Sequence, residues 1–316
     1  MSLENWGWNT AWTERFAPFF AQGLIPARVS AAHRGGYQIE TAEGTATAAL
    51  SGRLEYAAGS PLDLPAPGDW VAATPTDPAL IVAVIERRSL IARSIDGGPR
   101  QPLAANVDVV FIVCGLDGDW NPRRIDRYRV LAAEAGAASV VVLNKADLCP
   151  EATARAASLP PPALALSALG GGVAEALAPF VAPGRTAALV GSSGAGKSTI
   201  VNALLGGAGR QSTRGVREHD SRGRHTTTVR TLFRLPAGWL LFDLPGLREV
   251  GVEGGGAGAV DEAFADIVQL AAGCRFRDCR HDREPGCAVR EAASAERLAH
   301  YRRLLDEAAR KRPKRR

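Results

Sequence analysis

The residues that decide the fold read Gly191-Ser192-Ser193-Gly194-Ala195-Gly196-Lys197-Ser198-Thr199, which matches the P-loop pattern G-x-x-x-x-G-K-[ST]. Apolar residues 186–190 precede this stretch and apolar residues 200–205 follow it, so a buried strand, a loop and a helix are predicted. Glycine lets main-chain N–H groups approach a triphosphate closely. We expect Lys197 to reach the β- and γ-phosphates and the Ser198 hydroxyl to bind Mg²⁺. The stretch therefore predicts a nucleoside triphosphate site.

A base-reading motif comes earlier in the chain. Residues Asn144, Lys145, Ala146 and Asp147 match N-K-x-D and follow the predicted strand 139–143. The Asp147 carboxylate can accept from two N–H donors of guanine, a pattern that adenine lacks, and this is worth about 3 to 6 kcal/mol. Ser167, Ala168 and Leu169 follow the next apolar run and resemble the loop whose main-chain N–H groups contact the guanine carbonyl, with Ser167 and Ala168 as the expected contacts. GTP is therefore predicted to bind in preference to ATP.

The residues after the P-loop match the switch segments of a GTPase. Asp243 begins a D-x-P-G match and is expected to hold the Mg²⁺ shell through water, while the Gly246 N–H would reach the γ-phosphate. Leu247 stands where a GTPase often has a water-orienting glutamine, so His225 is the candidate catalytic residue. A solvent-facing or phosphate-pairing histidine is the alternative. One further metal ligand is expected from Thr226, Thr227 and Thr228.

Strands and helices alternate through the central part of the chain, which predicts a doubly wound α/β sheet. The guanine motif precedes the P-loop, and this order indicates a circular permutation that keeps every strand in place. The segment after Asp243 then leads through 251–258 into the carboxyl-terminal module, to which it could transmit movement on loss of the γ-phosphate. Residues 87–105 are predicted to be a linker, 122–135 a helix, and 260–272 and 288–311 single helices.

The amino-terminal part has a different pattern. Short alternating runs between residues 27 and 87, broken by turn signals, predict a small five-stranded barrel of the oligonucleotide-binding (OB) type. Such a barrel can bind RNA on one face or can serve only as a packing module. The first twenty residues are expected to dock on the body of the protein because they carry Trp6, Trp8, Trp12, Phe16, Phe19 and Phe20.

A metal-binding pattern lies near the carboxyl terminus. Residues Cys274, Cys279, His281 and Cys287 have the arrangement C-x4-C-x-H-x5-C. Three thiolates and one imidazole form the ligand set of a closed structural zinc site, which has no position for a catalytic water. Free core thiols are the alternative. Cys114 and Cys149 are interpreted as packing residues.

Length and composition limit the class of protein. A chain of 316 residues exceeds the usual size of one domain, and no apolar run approaches the roughly 20 residues that cross a bilayer. Five cysteines, three of them clustered, favour a reducing compartment, so a cytoplasmic location without membrane contact is expected. The net charge of +5 comes mainly from the basic tail 310–316, which either contacts nucleic acid or binds nothing in particular.

Five motifs follow one another along the chain: N-K-A-D, the P-loop, G-R-H-T-T-T at 223–228, D-L-P-G and the Cys/His cluster. In this order they resemble the ribosome small-subunit-dependent GTPase A family, whose members are circularly permuted GTPases of bacteria. The resemblance runs from about residue 101 to the last helix. It implies a multidomain chain, with an OB-like β-barrel at 21–88, a circularly permuted P-loop GTPase domain at 103–250 and a helical zinc-binding domain at 258–311. The sequence adds an aromatic segment at 1–20 and the basic tail at 310–316.

The resemblance also implies an activity. A protein of this family would bind the small ribosomal subunit and its rRNA as a monomer, assist late maturation of the subunit, and hydrolyse GTP to GDP and phosphate to time its release. Mg²⁺ and structural zinc would be its metals. The aromatic segment and the glycine run at 254–256 have no place in the family pattern. A nucleotide-gated rRNA-binding scaffold with incidental hydrolysis is the alternative, and Asp147 argues against an ATP-dependent kinase or ATPase.

Overall fold

The computed structural model describes residues 2–33, 35–94, 98–206, 231–243 and 256–310. Its amino-terminal part is a helix followed by a barrel. The elements are α1 (Thr10–Phe20), β1 (Ile25–His33), β2 (Gly36–Glu40), β3 (Thr45–Leu50), α2 (Gly52–Ala57), β4 (Trp70–Ala73) and β5 (Ala79–Val84). The barrel closes in the order β1-β2-β3-β5-β4, in which only the pairing of β3 with β5 is parallel. The prediction of a small five-stranded barrel is therefore confirmed.

The aromatic amino-terminal segment packs against the barrel. Trp12 and Phe16 of α1 are buried, and the Trp8 ring meets the Trp70 ring of β4 edge to face at 4.7 Å. The Asn9 side chain accepts a hydrogen bond from the Trp12 N–H and caps the helix. The segment is thus part of the hydrophobic core that the barrel shares with the central sheet.

The prediction of a linker at 87–105 was wrong, because this segment forms a two-stranded antiparallel sheet. Its strands are β6 (Leu90–Ser94) and β7 (Arg100–Ala105). Ile91 and Leu103 are buried in the same core as the barrel and the central sheet, and this burial gives the two short strands a face to pack on. The glycines and proline at 97–99 indicated a turn but said nothing about this packing.

The central domain is a six-stranded sheet with helices on both faces. Its elements are β8 (Val109–Gly115), α3 (Pro122–Ala135), β9 (Ala138–Asn144), α4 (Ala152–Ala157), β10 (Ala163–Ala165), α5 (Val173–Leu177), β11 (Thr186–Gly191), α6 (197–206), β12 (Leu232–Arg234) and β13 (Leu240–Asp243). The order is β10-β9-β8-β11-β13-β12, and every neighbouring pair is parallel except β12 with β13. The residues of β8 are buried throughout, as expected for a strand covered on both faces.

This topology brings the sequence motifs to one edge. The carboxyl ends of parallel strands lie together, so the loops after β8, β9 and β11 are neighbours. The register pairs Gly115 with Asn144 and Gly191 with Val113. The guanine motif after β9 and the P-loop after β11 therefore flank the loop that follows β8.

The carboxyl-terminal domain is helical, with elements α7 (Ala257–Ala263), α8 (Ala265–Ala271), α9 (Ala288–Ala292) and α10 (Ala295–Arg310). The two long helices predicted here are each broken, the first at Phe264, whose φ of −117° and ψ of 40° leave the helical region. The Phe264 side chain is fully buried, and its burial offsets the interruption. In the part of the chain that the structure describes, no helix combines the length and apolar character that a membrane span requires.

Candidate functional site

Two glycines of the P-loop occupy positions that admit no side chain. Gly191 has a φ of 143° and Gly196 a φ of 93°, both in the region that favours glycine. A Cβ atom at Gly191 would overlap the Val113 carbonyl oxygen, and one at Gly196 would overlap the Asn144 amide nitrogen. The loop therefore lies directly against β8 and the guanine motif.

Asn144 holds three loops together. Its amide nitrogen donates to the Ala195 carbonyl oxygen at 2.9 Å, and its amide oxygen accepts from the Ala168 N–H at 3.0 Å. The side chain is buried, so both hydrogen bonds lie away from water. The sequence predicted Asn144 as a nucleotide-binding residue, and the structure shows that it joins the P-loop to the Ser167-Ala168 loop.

The predicted guanine-reading and P-loop residues line one cavity of about 260 Å³. Asp147 of the guanine motif and Thr199 of the P-loop both contribute to its wall. The full lining is Asn144, Lys145, Asp147, Leu148, Ser167, Ala168, Leu169, Gly196 and Thr199. The Asp147 carboxylate suits the donor-rich edge of a purine, and the apolar residues Leu148, Ala168 and Leu169 suit the faces of its ring.

Leu148 was not predicted to belong to this cavity, and Leu169 was predicted only as part of the loop whose main-chain N–H groups contact guanine. Both side chains are largely exposed, at 61% and 84%, which is unusual for leucine. Each directly follows a predicted guanine-contacting residue, and this adjacency was the only sequence signal available. They form an apolar rim around the cavity.

The Lys197 ammonium group folds over the P-loop. It donates to the carbonyl oxygens of Gly191 at 2.8 Å and Ser192 at 2.7 Å. Ser193, Gly194 and Ser198 are exposed on the open side of the same loop. A positive charge and main-chain N–H groups at the beginning of α6 provide the electrostatics of an anion site.

Two acidic residues on the loop after β8 also contact the motifs. Asp117 accepts a hydrogen bond from the Lys145 ammonium group, and Asp119 accepts one from the Ser192 hydroxyl. Arg124, at the beginning of α3, forms an ion pair with Asp119. The hydrogen bond from Lys145 holds the pKa of Asp117 below its ordinary value. Neither carboxylate was predicted from the sequence, although both lie within four residues of the end of the buried strand β8.

The switch residues can be placed only in part. Asp243 is the last residue of β13, which pairs with β11 next to the P-loop, in the register Leu189 to Asp243. The other predicted switch and catalytic residues, His225, Thr226, Thr227, Thr228 and Gly246, lie outside the described residues. Their roles and the Mg²⁺ ligands Ser198 and Asp243 stay predictions.

A second site lies in the carboxyl-terminal domain, where Cys274, Cys279, His281 and Cys287 converge. Their potential ligand atoms all lie within 4.8 Å of one another. The Cys274 and Cys287 sulfurs are 3.9 Å apart, close to the separation of about 3.8 Å that two ligands at tetrahedral angles around a metal would have. Three thiols and an imidazole at these distances fit a four-coordinate metal site.

The Glu284 carboxylate organises the loop of this metal site. It accepts main-chain N–H bonds from Arg280 at 2.9 Å, Asp282 at 2.8 Å and Arg283 at 3.0 Å. These bonds lower the pKa of Glu284 to about 2, the Arg280 N–H contributing most. They surround His281, whose φ of 58° is uncommon for a residue with a side chain.

The carboxyl-terminal domain contacts the central sheet through α3. The buried Asp126 carboxylate of α3 accepts from Arg297 at 3.1 Å and lies 3.1 Å from His300 Nδ1, both on α10. Arg297 also donates to Asp266 of α8 at 2.5 and 2.8 Å. Because α3 begins directly after the Asp119 loop, one helix touches both the cavity region and the metal-binding domain.

Comparison with known proteins gives consistent matches. The family model described as RsgA GTPase matches residues 84–253. The small ribosomal subunit biogenesis GTPase RsgA of Opitutus terrae is 44% identical, with 98% of this chain and 90% of that protein aligned. The RsgA of Xylella fastidiosa (strain M23) is 45% identical, with 96% and 94% aligned.

Solved structures agree with these sequence matches. The crystal structure of YjeQ from Thermotoga maritima has a TM-score of 0.68 at 25% identity and covers 93% of this chain and 100% of its own. The structure of YloQ, a circularly permuted GTPase, has a TM-score of 0.65 at 20% identity, with 92% and 97% covered, and supports the fold. Since the family model spans more than half of the chain and the relatives align over nearly all of it, this chain belongs to the RsgA family of GTPases.

Proposed function

We propose that this protein binds the small ribosomal subunit, assists its late maturation, and hydrolyses GTP to GDP and phosphate to time its release. The observation that carries the GTPase part is the single cavity to which Asp147 and Thr199 both contribute, because a guanine reader and a triphosphate loop must act on one molecule. The ribosomal part is supported by the printed names of the relatives from Opitutus terrae and Xylella fastidiosa.

In this proposal Asp147 reads the guanine edge and Lys197 neutralises phosphate charge. Ser198, Asp243 and one of the switch threonines would hold Mg²⁺, which when bound neutralises charge on the phosphates. His225 is proposed to orient the attacking water by accepting its hydrogen bond. These roles rest on the motifs and on the shared edge of β9, β11 and β13.

The remaining assignments concern metal, partner and location. We propose zinc as the structural metal of the Cys274, Cys279, His281 and Cys287 site, because a closed set of sulfur and nitrogen ligands is typical of zinc. The barrel and the basic tail are proposed to contact rRNA. A monomer in the cytoplasm is consistent with the proposed partner.

Base specificity is tested by Asp147→Asn. An amide offers one donor and one acceptor, so it complements xanthine, which has a carbonyl where guanine has its exocyclic amine. GTP affinity is expected to fall at least about a hundredfold and the preference to change to xanthosine triphosphate. Fluorescent-nucleotide competition measures this change. Lys197→Ala should lose both nucleotides, and a variant Asp147→Asn that still prefers GTP would contradict the guanine assignment.

The ribosomal role is tested by turnover and sedimentation. GTP hydrolysis should rise strongly when purified small subunits are added, and the protein should sediment with them in a GTP analogue but not in GDP. Large subunits serve as the control particle. Nucleotide-dependent sedimentation without stimulation of turnover would favour the rRNA-binding scaffold instead.

A further inference from the structure

The main chain of the loop after β8 is tied to the guanine motif. Gly115 and Asn144 are register partners at the ends of β8 and β9, and the Leu116 N–H donates to the Asn144 carbonyl oxygen at 2.9 Å. Lys145 follows Asn144 in the chain, and Asp117 follows Leu116. The two charged side chains therefore leave adjacent strand ends and meet.

Local backbone features support this meeting. A Cβ atom at Gly115 would lie 2.6 Å from Asp117 Oδ1, so the missing side chain leaves room for the carboxylate. Lys145 has a φ of 64°, a conformation that L residues rarely adopt, and it is therefore maintained by surrounding contacts. Among the residues that the structure describes, its ion-pair partner is Asp117.

We propose that Asp117 is a positioning residue of the guanine site, which holds the Lys145 ammonium group so that the lysine stem forms a wall of the cavity beside the purine. This inference rests on the proposed GTP-binding function. Lysine has many rotamers, and anchoring its end removes part of the entropy that nucleotide binding would otherwise lose. The pair is about one-third exposed before binding, at 28% and 36%, and a bound purine would shield it from water.

The positioning role has a kinetic signature. Contacts to the base are the same in the ground state and in the transition state, so their loss weakens binding without slowing the chemical step. Loss of Asp117 should therefore raise KM for GTP and the Kd for GDP by the same factor and leave kcat at saturating GTP unchanged.

The test is a double-mutant cycle in the full-length protein with a fluorescent GDP analogue. Asp117→Ala is expected to raise the Kd about three- to tenfold, and Lys145→Ala at least as much. Because Asp117 acts through Lys145, the double variant should bind like Lys145→Ala alone. Asp117→Glu should recover part of the affinity. Asp306→Ala, an exposed carboxylate on α10, controls for the change in net charge.

Several outcomes would overturn the proposal. Unchanged or tighter binding by Asp117→Ala would show that the carboxylate does not help Lys145 or that it restrains it away from the base. Additive effects in the double variant would show that Asp117 acts independently of Lys145. A wrong GTPase assignment would give a distinguishable result, because the Lys197→Ala variant would then bind GDP with the affinity of the wild type. Unfolding midpoints monitor folding, and the isosteric Asp117→Asn replaces any Asp117→Ala protein that does not fold.

Discussion

At the residue scale, Asn144 has the largest structural role in the nucleotide site. One buried amide satisfies the Ala195 carbonyl and the Ala168 N–H, which belong to loops separated by many residues of sequence. An unsatisfied buried main-chain group costs about 1 to 3 kcal/mol, so such a bridge is difficult to replace. The same side chain therefore affects both the stability of the domain and the shape of the cavity.

We predict that Asn144→Ala lowers the free energy of unfolding by about 2 to 4 kcal/mol and weakens nucleotide binding at least about tenfold, because two buried groups lose their partner. Urea denaturation and fluorescent-nucleotide titration measure the two effects. Asn9→Ala is the matched control, since Asn9 caps α1 far from the cavity and should cost only about 1 kcal/mol with no change in affinity. Equal changes in unfolding free energy and in nucleotide affinity for the two variants would contradict the bridging role of Asn144.

Glu284 gives a prediction of pH dependence. Its folded pKa of about 2 lies below the ordinary value of 4.5. The stabilisation it provides is therefore fully present above about 4.5 and is lost as the pH falls toward about 2. In an NMR titration of the folded protein, the carboxyl carbon of Glu284 should still show the charged form at about pH 4.5, where half of a free glutamate is protonated. Titration near the value of a free glutamate would show that the three main-chain bonds are not formed in solution.

At the element scale, α1 packs against the face of β4 that points away from the barrel interior, together with Trp70 and Ala72. Phe16 is fully buried and its ring lies 4.7 Å from that of Phe20, which is 48% exposed. Arg28 of β1 lies beneath this segment, where burial lowers its pKa to about 10. It donates to the Trp6 carbonyl oxygen and, at 2.8 Å, to the Thr186 hydroxyl at the beginning of β11. The amino-terminal segment, the barrel and the P-loop strand are thus joined by one cation.

Two truncations in α1 should show that the stability contributed by an aromatic ring depends on its burial. Phe16→Ala is expected to lower the free energy of unfolding by about 3 to 5 kcal/mol because it leaves a cavity in the shared core. Phe20→Ala removes the same atoms from a half-exposed position and should cost about 1 kcal/mol or less. Chemical denaturation measures both. Similar losses in the two variants would mean that α1 does not dock as described.

At the scale of the whole molecule, α3 connects two functional regions. Its amino end follows the loop that contacts Lys145 and Ser192, and its buried Asp126 contacts α10 of the metal-binding domain. Val130 of α3 belongs to the same hydrophobic cluster as Phe264 and Leu304. This route adds to the predicted one through 251–258, of which residues 251–255 lie outside the described part of the chain.

Loss of the metal should unfold one domain and spare the nucleotide site. Cys287→Ser, or removal of the metal with a chelator, is expected to increase hydrogen exchange along α10, because a Cys3His domain of this size depends on its metal for folding. The affinity for GDP should change less than about threefold, since the described lining of the cavity includes no residue of that domain. Elemental analysis should find about one zinc per chain in the wild type. Unchanged exchange in α10 would contradict a structural role for the metal.

The sequence by itself determined the parts of this protein whose chemistry is local. A glycine-rich loop between an apolar strand and a helix, a four-residue guanine motif and a Cys/His spacing each require few neighbours. These patterns therefore predicted the sheet, the order of its motifs and the four residues of the Cys/His cluster. The alternation of apolar and polar residues over short runs was likewise enough to predict the barrel.

Only the tertiary structure decided which distant residues meet. Three contacts depend on strand register and on burial, which no local pattern encodes. They are the ion pair of Asp117 with Lys145, the hydrogen bonds of Asn144 to two loops, and the hydrogen bonds of Arg28 that join three segments. The 87–105 segment became a two-stranded sheet and the long carboxyl-terminal helices were broken for the same reason, since packing against remote side chains outweighed local propensity.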